Sequence, residues 1–181
     1  VGRLTRLVQF LAAMGKEQAP GEHEDVDLAD LLADIVTLAR SHRSVRHRHL
    51  TCDTPDALSC RVNPRTVSRA VLNLIVNAAE ATTTDGRVAL GVAADDAMVT
   101  ITVDDDGPGV PEEQRADIFR EFHTTKSVGS GLGLMSVKYC AHEHQGEWSV
   151  ETSPLGGARF VLTLPRGQTP TSMPDVAASS R

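Results

Sequence analysis

Four short patterns follow one another in fixed order along this chain: Asn73-Leu-Ile-Val-Asn77, Asp105-Asp-Gly-Pro-Gly109, Phe119-Arg-Glu-Phe-His-Thr-Thr-Lys126 and Gly129-Ser-Gly-Leu-Gly-Leu134. Each is common alone; their succession is what constrains the fold. The first places two amides one turn apart on a helix. The second sets a carboxylate among glycines. The third carries two phenylalanines followed by a lysine, and the fourth is a glycine cluster.

The flanking residues say which elements carry them. Asn63-Pro64 starts a central helix, with Asn as N-cap and Pro at the first helical position. Its apolar stripe holds Val67, Ala70, Val71, Leu74, Ile75 and Ala78, and Asn73, Asn77 and Glu80 share a polar face. Arg87–Ala93 and Met98–Val103 alternate and read as a hairpin. A short helix is expected around Glu112–Phe119, a longer one over Leu132–His144, and a final hairpin from Trp148–Thr152 and Ala158–Leu164. Upstream, Asp27 caps a helix whose apolar face is Leu28, Leu31, Leu32, Ile35, Val36 and Leu38. His49–Thr51 and Ala57–Val62 are two short strands. Helices and strands mix without regular βαβ alternation. That predicts an α/β (α+β) two-layer sandwich, a mixed, mainly antiparallel sheet with helices packed on one face.

Four units follow: residues 1–17, a helix periodic in Leu4, Leu7, Val8, Leu11 and Ala12; a Pro/Gly linker at 18–26; a domain at 27–165; and a disordered tail at 166–181. A net charge of −6 removes any general basic surface for nucleic acid. The cluster Arg40, His42, Arg43, Arg46, His47, Arg48, His49 reads as a solvated helix end. Cys52, Cys60 and Cys140 lack metal-ligand spacing and read as reduced thiols of a cytosolic protein. No apolar run approaches the ~20 residues that span a bilayer, so no membrane contact is expected of this chain.

In order and spacing the four patterns resemble the catalytic, ATP-binding domain of bacterial sensor histidine kinases, one of the Bergerat-fold ATPases. That group also includes gyrase-type topoisomerases and anti-sigma-factor kinases. The likeness covers about Asp27 to Pro165. The form Asn-Ala-Ala-Glu-Ala is similar to the nitrogen-regulation branch. The resemblance implies ATP and Mg2+ as cofactors, with Asn77 as the metal ligand. Cofactor binding falls to Asn73, Asn77, Glu80, Asp105, Gly107, Gly109, Thr125, Lys126, Gly129, Ser130, Gly131, Leu132 and Gly133, and catalysis to Lys126 and Asn73.

The chemistry of these residue types agrees. Magnesium takes oxygen ligands and keeps several waters, so one amide oxygen beside phosphate oxygens suits it. A carboxylate only accepts, which favours the amino group of adenine over the carbonyl of guanine. Asp105 is taken from the Asp-x-Gly-x-Gly register of the family; Asp104 and Asp106 flank it. Glycines opening a helix leave N–H groups free for an anion. The segment Phe119–Lys126 resembles a lid, with Lys126 and Thr125 toward the phosphates.

Asn73 stands where hydrolytic members and anti-sigma serine kinases resemble Glu-x-x-x-Asn. An amide takes no proton at neutral pH, so the phosphoryl group awaits an outside nucleophile. A complete kinase core also carries an acceptor pattern like His-Glu-Leu-Arg-Asn-Pro. This chain has none, and His42, His47, His49, His142 and His144 read as surface residues. The expected partners are therefore a histidine-bearing dimerisation domain, in the same full-length protein or a partner chain, and a response-regulator receiver domain. Two other readings are an anti-sigma-type kinase, against which Asn73 argues, and a non-catalytic nucleotide-binding or docking adaptor.

Overall fold

The computed structural model describes residues 23–115 and 133–167. Strand β1 (Glu24–Asp27) runs into helix α1 (Leu28–Arg40); β2 (His49–Asp53) and β3 (Ser59–Val62) precede the central helix α2 (Pro64–Ala81). The hairpin β4 (Arg87–Ala94) and β5 (Met98–Asp105) follows, then one turn, α3 (Glu112–Arg115). After α4 (Gly133–Glu143) the chain closes with β6 (Glu147–Thr152) and β7 (Ala158–Pro165). The 1–17 helix, the lid segment and most of the expected tail lie outside the described residues.

The main sheet has the order β2-β4-β5-β7-β6, parallel only between β2 and β4. Alternation decides its two faces. Val88 and Leu90 of β4, Val99, Ile101 and Val103 of β5, and Phe160, Leu162 and Leu164 of β7 are buried against the helical layer. Each such side chain contributes about 1.5–3 kcal/mol by leaving water. The opposite face carries small and polar side chains, such as Thr100 and Thr163, whose hydroxyls meet at 3.3 Å. Helix α2 lies over β4 and β5, α4 over β6 and β7, and the two helices pack against each other.

Local chemistry sets the helix starts as expected. Asn63 Oδ1 accepts from the Arg65 N–H at 3.1 Å, with Pro64 first in α2. Asp27 Oδ1 accepts from Ala29 N–H at 2.9 Å and Leu58 N–H at 3.1 Å. The Leu58 donor, above all, holds the Asp27 carboxyl below its usual range.

Some expectations need correction. Glu24–Asp27, mostly within the stretch read as linker, pair antiparallel with Ser59–Val62 as a separate two-stranded sheet. Arg166, the first residue assigned to the tail, donates its N–H to Ala97 O at 2.9 Å and accepts from Arg61 N–H at 2.7 Å. Leu38 is 61% exposed and not part of the apolar face. At 100° per residue it falls outside the arc of Leu28, Leu32, Ile35, Val36 and Ala39. The basic cluster is not all solvated: Arg40 donates to Leu50 O at 3.3 Å and Arg48 to Thr82 O at 3.5 Å. The three cysteines are free thiols, Cys60 and Cys140 buried.

Candidate nucleotide site

The last residue of β5 continues the inward alternation of Val99, Ile101 and Val103, so Asp105 points into the helical side of the sheet and is 1% exposed. Its Oδ1 accepts two backbone donors, Gly107 N–H at 2.9 Å and Ala158 N–H at 3.1 Å. Its Oδ2 is buried and has no hydrogen-bond partner among the described residues. Burial, more than the two N–H groups that oppose it, raises the Asp105 carboxyl above its usual range. A buried carboxylate oxygen without a donor is costly, and a ligand N–H placed there removes the cost. The site thus fits a base that offers an amino group.

The neighbouring aspartates do other work. Asp104 faces the open side of the sheet and takes Arg159 Nε at 2.8 Å and Nη2 at 3.0 Å. Asp106 accepts from the Thr82 hydroxyl and from Arg87 Nε at 3.4 Å, tying the end of α2 to β4. The Thr82 hydroxyl is the main reason the Asp106 carboxyl lies below its usual range.

Glycines let backbone close around Asp105. A Cβ on Gly157 would stand 2.2 Å from Asp105 Oδ1 and 2.6 Å from Gly107 N, and one on Gly107 would stand 2.8 Å from Ala81 O. Gly109 has φ +74°, which side chains rarely adopt. Gly157 and Ala158 were missed in the sequence, where Gly156-Gly157 marks only a hairpin turn.

Across the layer, α2 presents Asn73 and Asn77, both half-buried, toward the start of α4. A Cβ on Gly133 would lie 3.3 Å from Asn77 Nδ2, so the end of the glycine cluster rests against that amide. Asn73 Nδ2 donates to Ser136 Oγ at 2.6 Å. Amide oxygens are magnesium ligands of the kind a nucleotide site uses, with phosphates and waters completing the set. Among the described residues no group of three or more His, Cys, Asp or Glu side chains is placed to hold a metal. Glu80 is exposed and accepts from the Ser44 hydroxyl at 3.3 Å. Thr125, Lys126, Gly129, Ser130, Gly131 and Leu132 lie outside the described residues.

One histidine departs from the surface role expected of it. His144, at the end of α4, is buried and accepts the Asn63 N–H on Nε2 at 2.9 Å. Its Nδ1 therefore carries the proton and donates to Cys140 O at 2.7 Å. Burial is the main cause that lowers its pKa. The contact joins the C-terminus of α4 to the N-cap of α2, so the two helices that carry the site are locked at their far ends. No described helix is long and apolar enough to cross a membrane.

The chain is similar to known histidine kinases in sequence and in fold. The sensor histidine kinase CpxA of Escherichia coli (strain K12) is 34% identical over 172 residues, covering 90% of this chain and 37% of CpxA. The chain thus spans little more than a third of that relative. The solved ATP-binding domain of PrrB from Mycobacterium tuberculosis is 34% identical with a TM-score of 0.67, covering 81% of this chain and 99% of that domain. The mycobacterial sensor histidine kinase MprB is 28% identical with a TM-score of 0.70, covering 79% and 97%. Residues 62–168 match the family described as histidine kinase-, DNA gyrase B-, and HSP90-like ATPase. With more than half of its length inside that match, the chain belongs to this ATPase family.

Proposed function

We propose that this chain binds Mg–ATP and directs the γ-phosphoryl group to a histidine outside it, as the ATP-binding domain of a two-component sensor histidine kinase. A receiver-domain aspartate of a response regulator takes the phosphoryl group next. The observation that carries the reading is Asp105. Its buried Oδ2 has no donor among the described residues while backbone N–H groups hold Oδ1, an arrangement that suits an amino-bearing base. Asp105, Gly107 and Gly109 then hold adenine. Asn77 and Asn73 face the metal and its waters, Glu80 stands at the edge of that face, and Gly129, Ser130, Gly131, Leu132 and Gly133 take the phosphates. When bound, Mg2+ neutralises charge on the β- and γ-phosphates. Lys126 and Thr125 add a cation and a hydroxyl on the lid.

Asn73 favours an outside histidine over water or serine as the nucleophile. Its Nδ2 is a donor, already engaged by Ser136, and an amide cannot abstract a proton. An imidazole needs no such base. The partners follow: a dimerisation domain bearing the histidine, on the cytoplasmic side, and a receiver domain.

Titration of the purified chain with Mg–ATP and Mg–GTP, beside Asn77→Ala and Asp105→Ala, tests the binding half. ATP-selective binding lost in both variants is expected; no binding by the unaltered chain refutes the reading. Incubation with a histidine-bearing dimerisation domain and labelled ATP tests the transfer half. The product should be a phosphoramidate, acid-labile and base-stable. An acid-stable phosphoester would point to a serine instead.

A further inference from the structure

Ser136 lies on α4 one turn beyond Gly133, 6% exposed, with its hydroxyl between two partners. Oγ stands 2.6 Å from the Gly133 carbonyl oxygen and 2.6 Å from the Asn73 amide. A hydroxyl has one hydrogen, and a carbonyl oxygen can only accept it. The hydrogen therefore goes to Gly133, and what reaches Oγ from Asn73 must be a donor, Nδ2. This orients an amide whose two ends are otherwise interchangeable. Oδ1 is turned away from Ser136 and has no hydrogen-bond partner among the described residues.

We propose that Ser136 is a positioning residue of the site, holding Asn73 so that its carbonyl oxygen rather than its NH2 is offered to the hydrated magnesium ion. The proposal rests on the Mg–ATP reading. A cation and its waters are met by oxygen acceptors; an NH2 group in that place repels the ion and accepts nothing. Helix packing does not explain the hydroxyl. The other buried positions of α4 are Val137, Cys140 and Ala141, and alanine is the better helix former. Ser136→Ala leaves the amide free to turn about its terminal bond, and only the metal-dependent part of affinity falls.

The test uses the whole chain and titrates ATP in EDTA and in excess Mg2+ against the unaltered protein, Ser136→Ala, Ser136→Thr, Asn73→Ala and the double variant. Ser136→Ala should lose about five-fold in Mg–ATP affinity, the size of one net hydrogen bond, and nothing in EDTA. Ser136→Thr keeps the hydroxyl and should restore most of the loss. In the Asn73→Ala background the Ser136→Ala change should have no further effect. In the 15N–1H spectrum, the Asn73 side-chain pair should shift in Ser136→Ala without nucleotide. Equal losses with and without metal, additive losses in the double variant, or an unmoved Asn73 pair would overturn the positioning role while leaving the Mg–ATP reading intact. Absence of nucleotide binding by the unaltered chain in both conditions would overturn both.

Discussion

Arg159 grips Asp104 with two donors, Nε at 2.8 Å and Nη2 at 3.0 Å, across the open face of the sheet. The next residue, Asp105, points through the opposite face. Two adjacent carboxylates thus have separate work. Asp104→Ala should destabilise the fold by about 1–2 kcal/mol, as expected for a two-pronged charged hydrogen bond, and leave nucleotide affinity unchanged. Urea unfolding and ATP titration check the two halves. A loss of affinity at unchanged stability would mean that the base is held by Asp104.

Asp105 should behave in the reverse sense. Its folded pKa lies above the ordinary 3.8, chiefly through burial. As pH rises through the window between 3.8 and the raised value, the unfolded chain gives up its proton first, and stability falls. Asp105→Asn removes that loss, and its Oδ1 still accepts from Gly107 and Ala158. Melting at pH 7 should therefore occur at an equal or higher temperature. The amide NH2 now occupies the place of Oδ2 and faces the adenine amino group, donor against donor. ATP affinity should drop roughly ten- to a hundred-fold.

Gly157→Ala tests the brace rather than the carboxylate. The added methyl meets Asp105 Oδ1, Asp105 O and Gly107 N at 2.2–2.6 Å. The backbone must shift, at about 1–3 kcal/mol of stability, and the Oδ1 hydrogen bonds shift with it. ATP binding and the melting temperature should both fall. Gly156→Ala is the contrast: its Cβ meets nothing, but φ +108° penalises it, so it should lower stability with little effect on binding.

His144 sets a pH dependence. Its pKa is lowered from 6.5, first by burial. The groups around it are His23, Cys140, Glu143 and the Asn63 N–H. Below 6.5 the unfolded chain takes up a proton that the folded ring resists. The stability linked to His144 is full above 6.5 and is lost as pH falls from there toward the folded pKa, by at most about 1.4 kcal/mol per pH unit. His144→Gln, which keeps an acceptor for Asn63, should flatten the decline between pH 7 and pH 5 relative to the unaltered chain, read from chemical denaturation at each pH.

How much of this was legible in the sequence depends on whether the cause was local. The cap at Asn63-Pro64 and the alternation of β4 and β5 are local, and they stood where the residues put them. The alternation even ran further than it was followed: Val99, Ile101, Val103 and Asp105 share one face, a signal that separates Asp105 from Asp104 without a family register. Strand β1 was illegible because Glu-Asp-Val-Asp becomes a strand only through backbone pairing with β3, more than thirty residues on. Ser136 and His144 escaped for the same kind of reason. Nothing near them in the chain announces Asn73 or Asn63, their partners across the helical layer.

The donor that holds Asp105 from Ala158 comes from 53 residues further along the chain. A growing polypeptide that has completed β5 has the carboxylate but not the strand that secures it. The pocket around Asp105 is therefore among the last features to mature, after the closure of a long loop. Nucleotide can stabilise the finished domain by mass action but cannot template its early folding. Chains cut before β7 should collapse around α2 and the β4–β5 hairpin yet remain indifferent to ATP.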